Sequence, residues 1–129
     1  MDYTQIFTSK DEYLLCITDG VVNDAETFIE WGLHLLSKAR ETRRTRILVD
    51  NRTFRLDLSP LDVITFANFM ENRDVAKLGL RLAVLSNPHN PEASRLVETA
   101  LVNRSASYKS FHTQQDAQHW LLRESSLPE

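Results

Sequence analysis

The sequence predicts a single α/β domain over residues 1–129, with elements in the order β-β-α-β-α-β-α-β-α. Two observations carry this expectation. Compact apolar runs, such as Ile47-Leu48-Val49 and Leu80-Arg81-Leu82-Ala83-Val84-Leu85, alternate with longer stretches whose apolar residues recur at helical spacing. Each of those stretches is preceded by a helix-start sequence, which fixes where the chain turns from strand to helix.

The first strand is read from Thr4 to Thr8 and the second from Tyr13 to Thr18, joined by the turn Ser9-Lys10-Asp11-Glu12. So short a polar link makes them an antiparallel hairpin. Asp19-Gly20 is read as the end of the second strand. Asn23-Asp24-Ala25-Glu26 reads as a capping box with Asn23 as the cap. After it, Ala25, Phe28, Ile29, Gly32, Leu35, Leu36 and Ala39 form one stripe facing a core, and Lys38 and Arg40 complement the helix dipole near its end.

Ile47 to Phe54 is the third strand. Ser59 caps the next helix, Pro60 takes the first helical position where its missing N–H costs nothing, and Asp62 completes the box. Leu80 to Leu85 is the fourth strand. Asn90-Pro91-Glu92 opens the third helix, with Ala93, Leu96, Val97, Ala100 and Leu101 inward. Tyr108 to His112 is the last strand, and Thr113-Gln114-Gln115-Asp116 caps a final helix that buries Ala117, Trp120 and Leu121. Strands joined through helices run parallel by right-handed crossovers, so the five-stranded sheet is mixed. Its carboxyl edge should gather Asp19, Asn23, Asp50, Ser59, Ser86, His89, Asn90, His112 and Thr113, and any activity is sought there first.

Composition narrows the function classes. Hydrophobic residues are 42% and charged residues 26%, the balance of an ordinary globular protein. The net charge of −3 argues against a general affinity for nucleic acid. No run approaches the length of a membrane span, and Met1-Asp2-Tyr3-Thr4 does not begin a secretory signal. The lone Cys16 sits in an apolar strand, which fits a reducing, cytoplasmic setting.

No enzyme is expected. Asp50, with Asp19, lacks the closely placed second acid and the lysine after the last strand that a phosphoacceptor site would want. His34, His89, His112 and His119 do not have metal-ligand spacing, and Cys16 is mid-strand, far from the helix start or basic neighbour that activates a thiolate. The three glycines lie in separate elements, so no phosphate loop exists and no cofactor is implied. Arg40, Arg43, Arg44 and Arg46 form a basic cluster without interleaved aromatics.

The second helix departs furthest from a plain core. Leu61, Val63, Ile64, Phe66, Ala67, Phe69 and Met70 occupy nearly its whole circumference, where one broad stripe would serve. The excess is covered by the next helix, by a protein partner such as a second subunit, or by a small apolar ligand entering beneath the helix. Phe66, Phe69 and Met70, with Trp31 off the main stripe of the first helix, are the interaction candidates. Ser59 is a candidate anion or regulatory site, since a phosphate at a helix start meets free amides.

The succession Ile47-Leu48-Val49-Asp50, Leu56-Asp57-Leu58-Ser59, Leu80 to Leu85, and Tyr108-Lys109-Ser110-Phe111-His112 to Ala117-Gln118-His119-Trp120-Leu121 resembles the STAS superfamily. It is most similar to small bacterial SpoIIAA-like (STAS/SEC14) domain proteins, whose chains often finish with an aromatic strand and an Ala-x-x-Trp-Leu helix. The resemblance implies helices mainly on one face of the sheet and a non-enzymatic, regulatory role. Anti-sigma factor antagonists of the wider family dock a kinase at the start and exposed side of the second helix and are phosphorylated there. Leu58-Ser59-Pro60-Leu61 stands where they usually carry Asp-Ser-Ser-Gly, which places Ser59 by position only. The SEC14 likeness implies a lipid or other apolar ligand.

Overall fold

The computed structural model describes residues 2–123. Its elements are β1 (Tyr3–Ser9), β2 (Leu14–Val22), α1 (Ala25–Thr42), β3 (Arg46–Leu56), α2 (Pro60–Asn72), β4 (Arg81–Leu85), α3 (Pro91–Val102), β5 (Ser107–Phe111) and α4 (Gln114–Leu122). A short 3₁₀ turn, Val75–Leu78, lies between α2 and β4. Element order and the mixed five-stranded sheet agree with the sequence reading.

The strands lie in the order β1-β2-β3-β4-β5. The first pair is antiparallel and the other three are parallel. Every parallel connection therefore steps in the same direction, and a right-handed crossover then puts each helix on the same face. α1, α2 and α3 share that face, where Phe28, Leu35, Phe54, Phe66 and Val97 are among the residues of the main core. α4 covers part of the opposite face, packing Ala117 and Leu121 on Leu48, Ala83 and Leu85. A sheet wound one way has no point where strand order reverses, so the crevice that such a reversal opens at the carboxyl edge is missing.

Helix starts follow the sequence with one correction. Asp24, not Asn23, caps α1, its Oδ1 accepting from Thr27 N–H at 2.7 Å. Glu26 remains in the first turn without closing a box, because the third residue of the helix is Thr27. At α2 the Ser59 hydroxyl accepts from Asp62 N–H while the Asp62 carboxylate accepts from Ser59 N–H, a complete capping box with Pro60 behind it. Thr113 caps α4 by accepting from Asp116 N–H. Asn90, before α3, instead turns its Oδ1 to Leu56 N–H at 2.9 Å, tying that helix to the end of β3.

The second strand is longer than expected, since Asp19-Gly20 lies inside it rather than ending it. Gly20 has φ of 128°, and a Cβ there would meet Tyr3 Cα at 2.6 Å. Without a side chain at that point β2 passes tight against β1 and continues to Val22. A bulge between Ile17 and Asp19 shifts its register on β3.

Candidate functional site

At the carboxyl edge Asp50, Asn87 and Asn90 are engaged in structural bonds. Asp50 accepts both from Arg52 Nε at 2.9 Å and from Arg52 Nη2 at 2.8 Å, a bidentate pair that uses both carboxylate oxygens. Those hydrogen bonds hold the Asp50 carboxyl below the usual range against the opposing effect of partial burial. Asn87 reaches the Phe54 carbonyl and Asn90 the Leu56 amide. Among the described residues no three His, Cys, Asp or Glu side chains gather where they could hold a metal ion. Cys16 is fully buried, and desolvation pushes its thiol up to about 11 despite weak hydrogen bonds from Gln5 and with Thr18.

The interaction candidates lie elsewhere than a bare surface requires. Trp31, Phe66 and Met70 are 3%, 4% and 5% exposed, so in the monomer they belong to the core. Phe28 stacks between Trp31 and Phe66, with ring centroids 5.2 and 4.1 Å away. Gly32 lets the two helices approach, since a Cβ there would stand 3.1 Å from Phe66 Cε1. Trp31 also donates its indole N–H to Thr18 Oγ1, which fastens α1 to β2. Phe69 is half-buried beneath the guanidinium of Arg73.

The inward stripe of α2 is Val63, Phe66, Ala67 and Met70, at i, i+3, i+4 and i+7. Leu61 and Ile64 fall off that stripe and remain bare, at 72% and 46% exposure. Ile64, with Pro60, the exposed Leu96 and the half-buried Ala100 of α3, lines a shallow groove of about 270 Å³, and Leu61 stands next to Pro60 at its side. The exposed Ser59, at the start of α2, stands two residues before Leu61. The spacing from Val63 to Met70 was the signal in the sequence that could have separated these two sets.

Beneath α2, Trp31, Phe66 and Met70 line a second feature, a small apolar cavity of about 60 Å³ closed below by Leu80, Leu82 and Tyr108. Beside it is a hollow of about 290 Å³ with Leu36, Ala39, Leu78 and Leu80 as its apolar wall and Arg40, Arg43 and Arg44 on its rim. The basic cluster thus divides. Arg44 donates twice to the Lys10 carbonyl, and Arg46 donates to the carbonyls of Leu122 and Arg123 at the end of α4. Arg40 and Arg43 are exposed and make no ion pair among the described residues.

No described helix is long and apolar enough to cross a membrane. No protein-family model matches the chain, and no curated protein matches it. Among solved structures it is similar to an uncharacterised protein of the DUF3478 family from Shewanella loihica PV-4, described as having a SpoIIAA-like fold. The match has 18% identity and a TM-score of 0.56, and covers 93% of each chain. The sequential mixed sheet with α1, α2 and α3 on one face is thus a SpoIIAA-like fold.

Proposed function

We propose that this chain is a non-enzymatic regulatory module that self-associates through the outward side of α2. The observation behind this reading is the pairing of a knob and a groove. Leu61 projects beside the groove that Ile64 and Leu96 line, so a two-fold arrangement lets each copy's Leu61 enter the other's groove. Ser59 is the regulatory position. A phosphate there would meet the free amides of α2 but would set two negative charges against an apolar interface, which favours the monomer. A buried free thiol suits a reducing, cytoplasmic setting.

Sedimentation across a range of concentrations tests this. The wild type is expected to associate, Ile64→Asp to remain monomeric with its fold intact, and Ser59→Asp, which keeps the cap, to dissociate in part. A wild type that is monomeric throughout removes the reading.

The cavity under α2 favours a second reading, a carrier or sensor of a small apolar ligand. At about 60 Å³ it is smaller than the roughly 150 Å³ void that admits a benzene ring, so the surrounding chain must open for any ligand to enter. Native mass spectrometry of gently purified protein is expected to show a co-purifying apolar species, and its repeated absence counts against this reading.

A further inference from the structure

The small cavity and the arginine-rimmed hollow share Leu36 and Leu80, so the two adjoin at the amino edge of the parallel strands. We infer that together they take a single-chain fatty-acid carboxylate. Its alkyl chain runs past Leu36 and Leu80 toward Trp31, and its carboxylate rests on Arg40 and Arg43. The inference rests on the apolar-ligand reading and adds the head group to it.

Charge complementarity selects the anion. The wall of the hollow is apolar, and the polar groups on its rim are three arginines and Thr45. Arg44 is engaged by the Lys10 carbonyl, whereas Arg40 and Arg43 have no ion-pair partner among the described residues. A guanidinium presents a planar fork that matches a carboxylate in bidentate fashion. The end of α1 nearby carries about half a negative charge from the helix dipole, which two full positive charges outweigh. A neutral lipid would leave this rim unused.

The way in is the 3₁₀ turn. None of its four residues is buried, although Val75 and Ala76 line the cavity and Leu78, 44% exposed, lines the hollow. It is bracketed by Asp74 and Gly79, both in the left-handed region at φ of 56° and 71°. An added Cβ at Gly79 would meet nothing within 4 Å, so the chain there stands clear of the fold. Displacing this turn gives up little buried surface and joins the cavity to the hollow. The stretch of α1 from Phe28 to Arg40 that flanks the joined space is about 18 Å long at 1.5 Å of rise per residue, the reach of a medium-length alkyl chain.

Calorimetric titration with dodecanoate and with dodecanol, which has the same chain and no charge, tests both halves. Dodecanoate is expected to bind saturably, and more weakly at high salt. The double substitution Arg40→Gln/Arg43→Gln, at exposed positions, should weaken dodecanoate by about tenfold or more while leaving dodecanol unchanged. Leu36→Trp should block both, and if it does not fold, Leu78→Glu at an exposed position should weaken dodecanoate selectively. If the arginine variant binds dodecanoate like the wild type, the carboxylate site is wrong and the apolar-ligand reading survives. If neither probe binds, both fall. Binding to phosphatidylglycerol vesicles without capture of free dodecanoate would assign the arginines to a lipid surface and overturn the inference.

Discussion

The indole Nε1 of Trp31 donates to Thr18 Oγ1 at 2.9 Å, and both side chains are buried. The carbonyl of Trp31 in turn accepts from Gln5 Nε2 at 3.2 Å. One residue of α1 is thus tied to both strands of the hairpin. Replacing one partner strands the other in the core, which costs about 1–3 kcal/mol. Trp31→Phe and Thr18→Val are each expected to lose stability in that range by urea unfolding. The double variant should lose less than the sum, because neither polar group is then left alone.

The end of α4 is held by arginines from two strands. Arg81 Nη1 donates to the carbonyls of Trp120, Leu121 and Arg123, and Arg46 to those of Leu122 and Arg123. Partial burial, with the nearby positive charges of Arg123 and Arg46, lowers the pKa of Arg81, so the three cations are crowded together for the sake of these carbonyls. Arg81→Met is expected to cost about 1–2 kcal/mol. Hydrogen exchange should quicken in α4 and stay unchanged in α1 and α2.

Acid should weaken the fold through Asp50 and Asp24. Hydrogen bonds from Arg52 and from the Thr27 amide, respectively, hold their carboxyls below the ordinary 3.8. Each therefore binds a proton less readily in the folded chain. Its contribution is complete above the ordinary value and is lost as pH falls through the depressed one. Urea midpoints at pH 7 and pH 3 should differ less in Asp50→Asn and Asp24→Asn than in the wild type.

Cys16 should resist alkylation. Its thiol is out of contact with solvent, and that burial pushes its pKa up to about 11. At pH 8 iodoacetamide should modify it no faster than the protein opens, and urea should accelerate labelling in step with unfolding.

Local chemistry was legible in the sequence, and placement across the fold was less so. Ser59, Pro60 and Asp62 specify the start of α2 through contacts three residues apart, and the structure contains them as read. Asp19-Gly20 looked like a terminator because the need for Gly20 comes from Tyr3, seventeen positions away and on another strand. Trp31 stands off the apolar stripe of α1, and the polar partner that draws it inward, Thr18, belongs to β2. Phe66 and Met70 share the i, i+3, i+4, i+7 stripe of α2, and the narrow approach at Gly32 is what seats them against α1. Likewise the hollow below Arg40 and Arg43 is completed only when the fold brings Leu78 and Leu80 beside α1.

The sequential strand order bears on how the chain reaches this state. Every strand pairs with the one made just before it, so no gap in the sheet must be held open for a later segment. Most closures are therefore short, which favours rapid folding. On the ribosome, the sheet can grow by accretion from β1 toward β5 as each unit emerges. The last described helix then arrives on a surface already formed, where Arg46 and Arg81 are in position to receive its final turn.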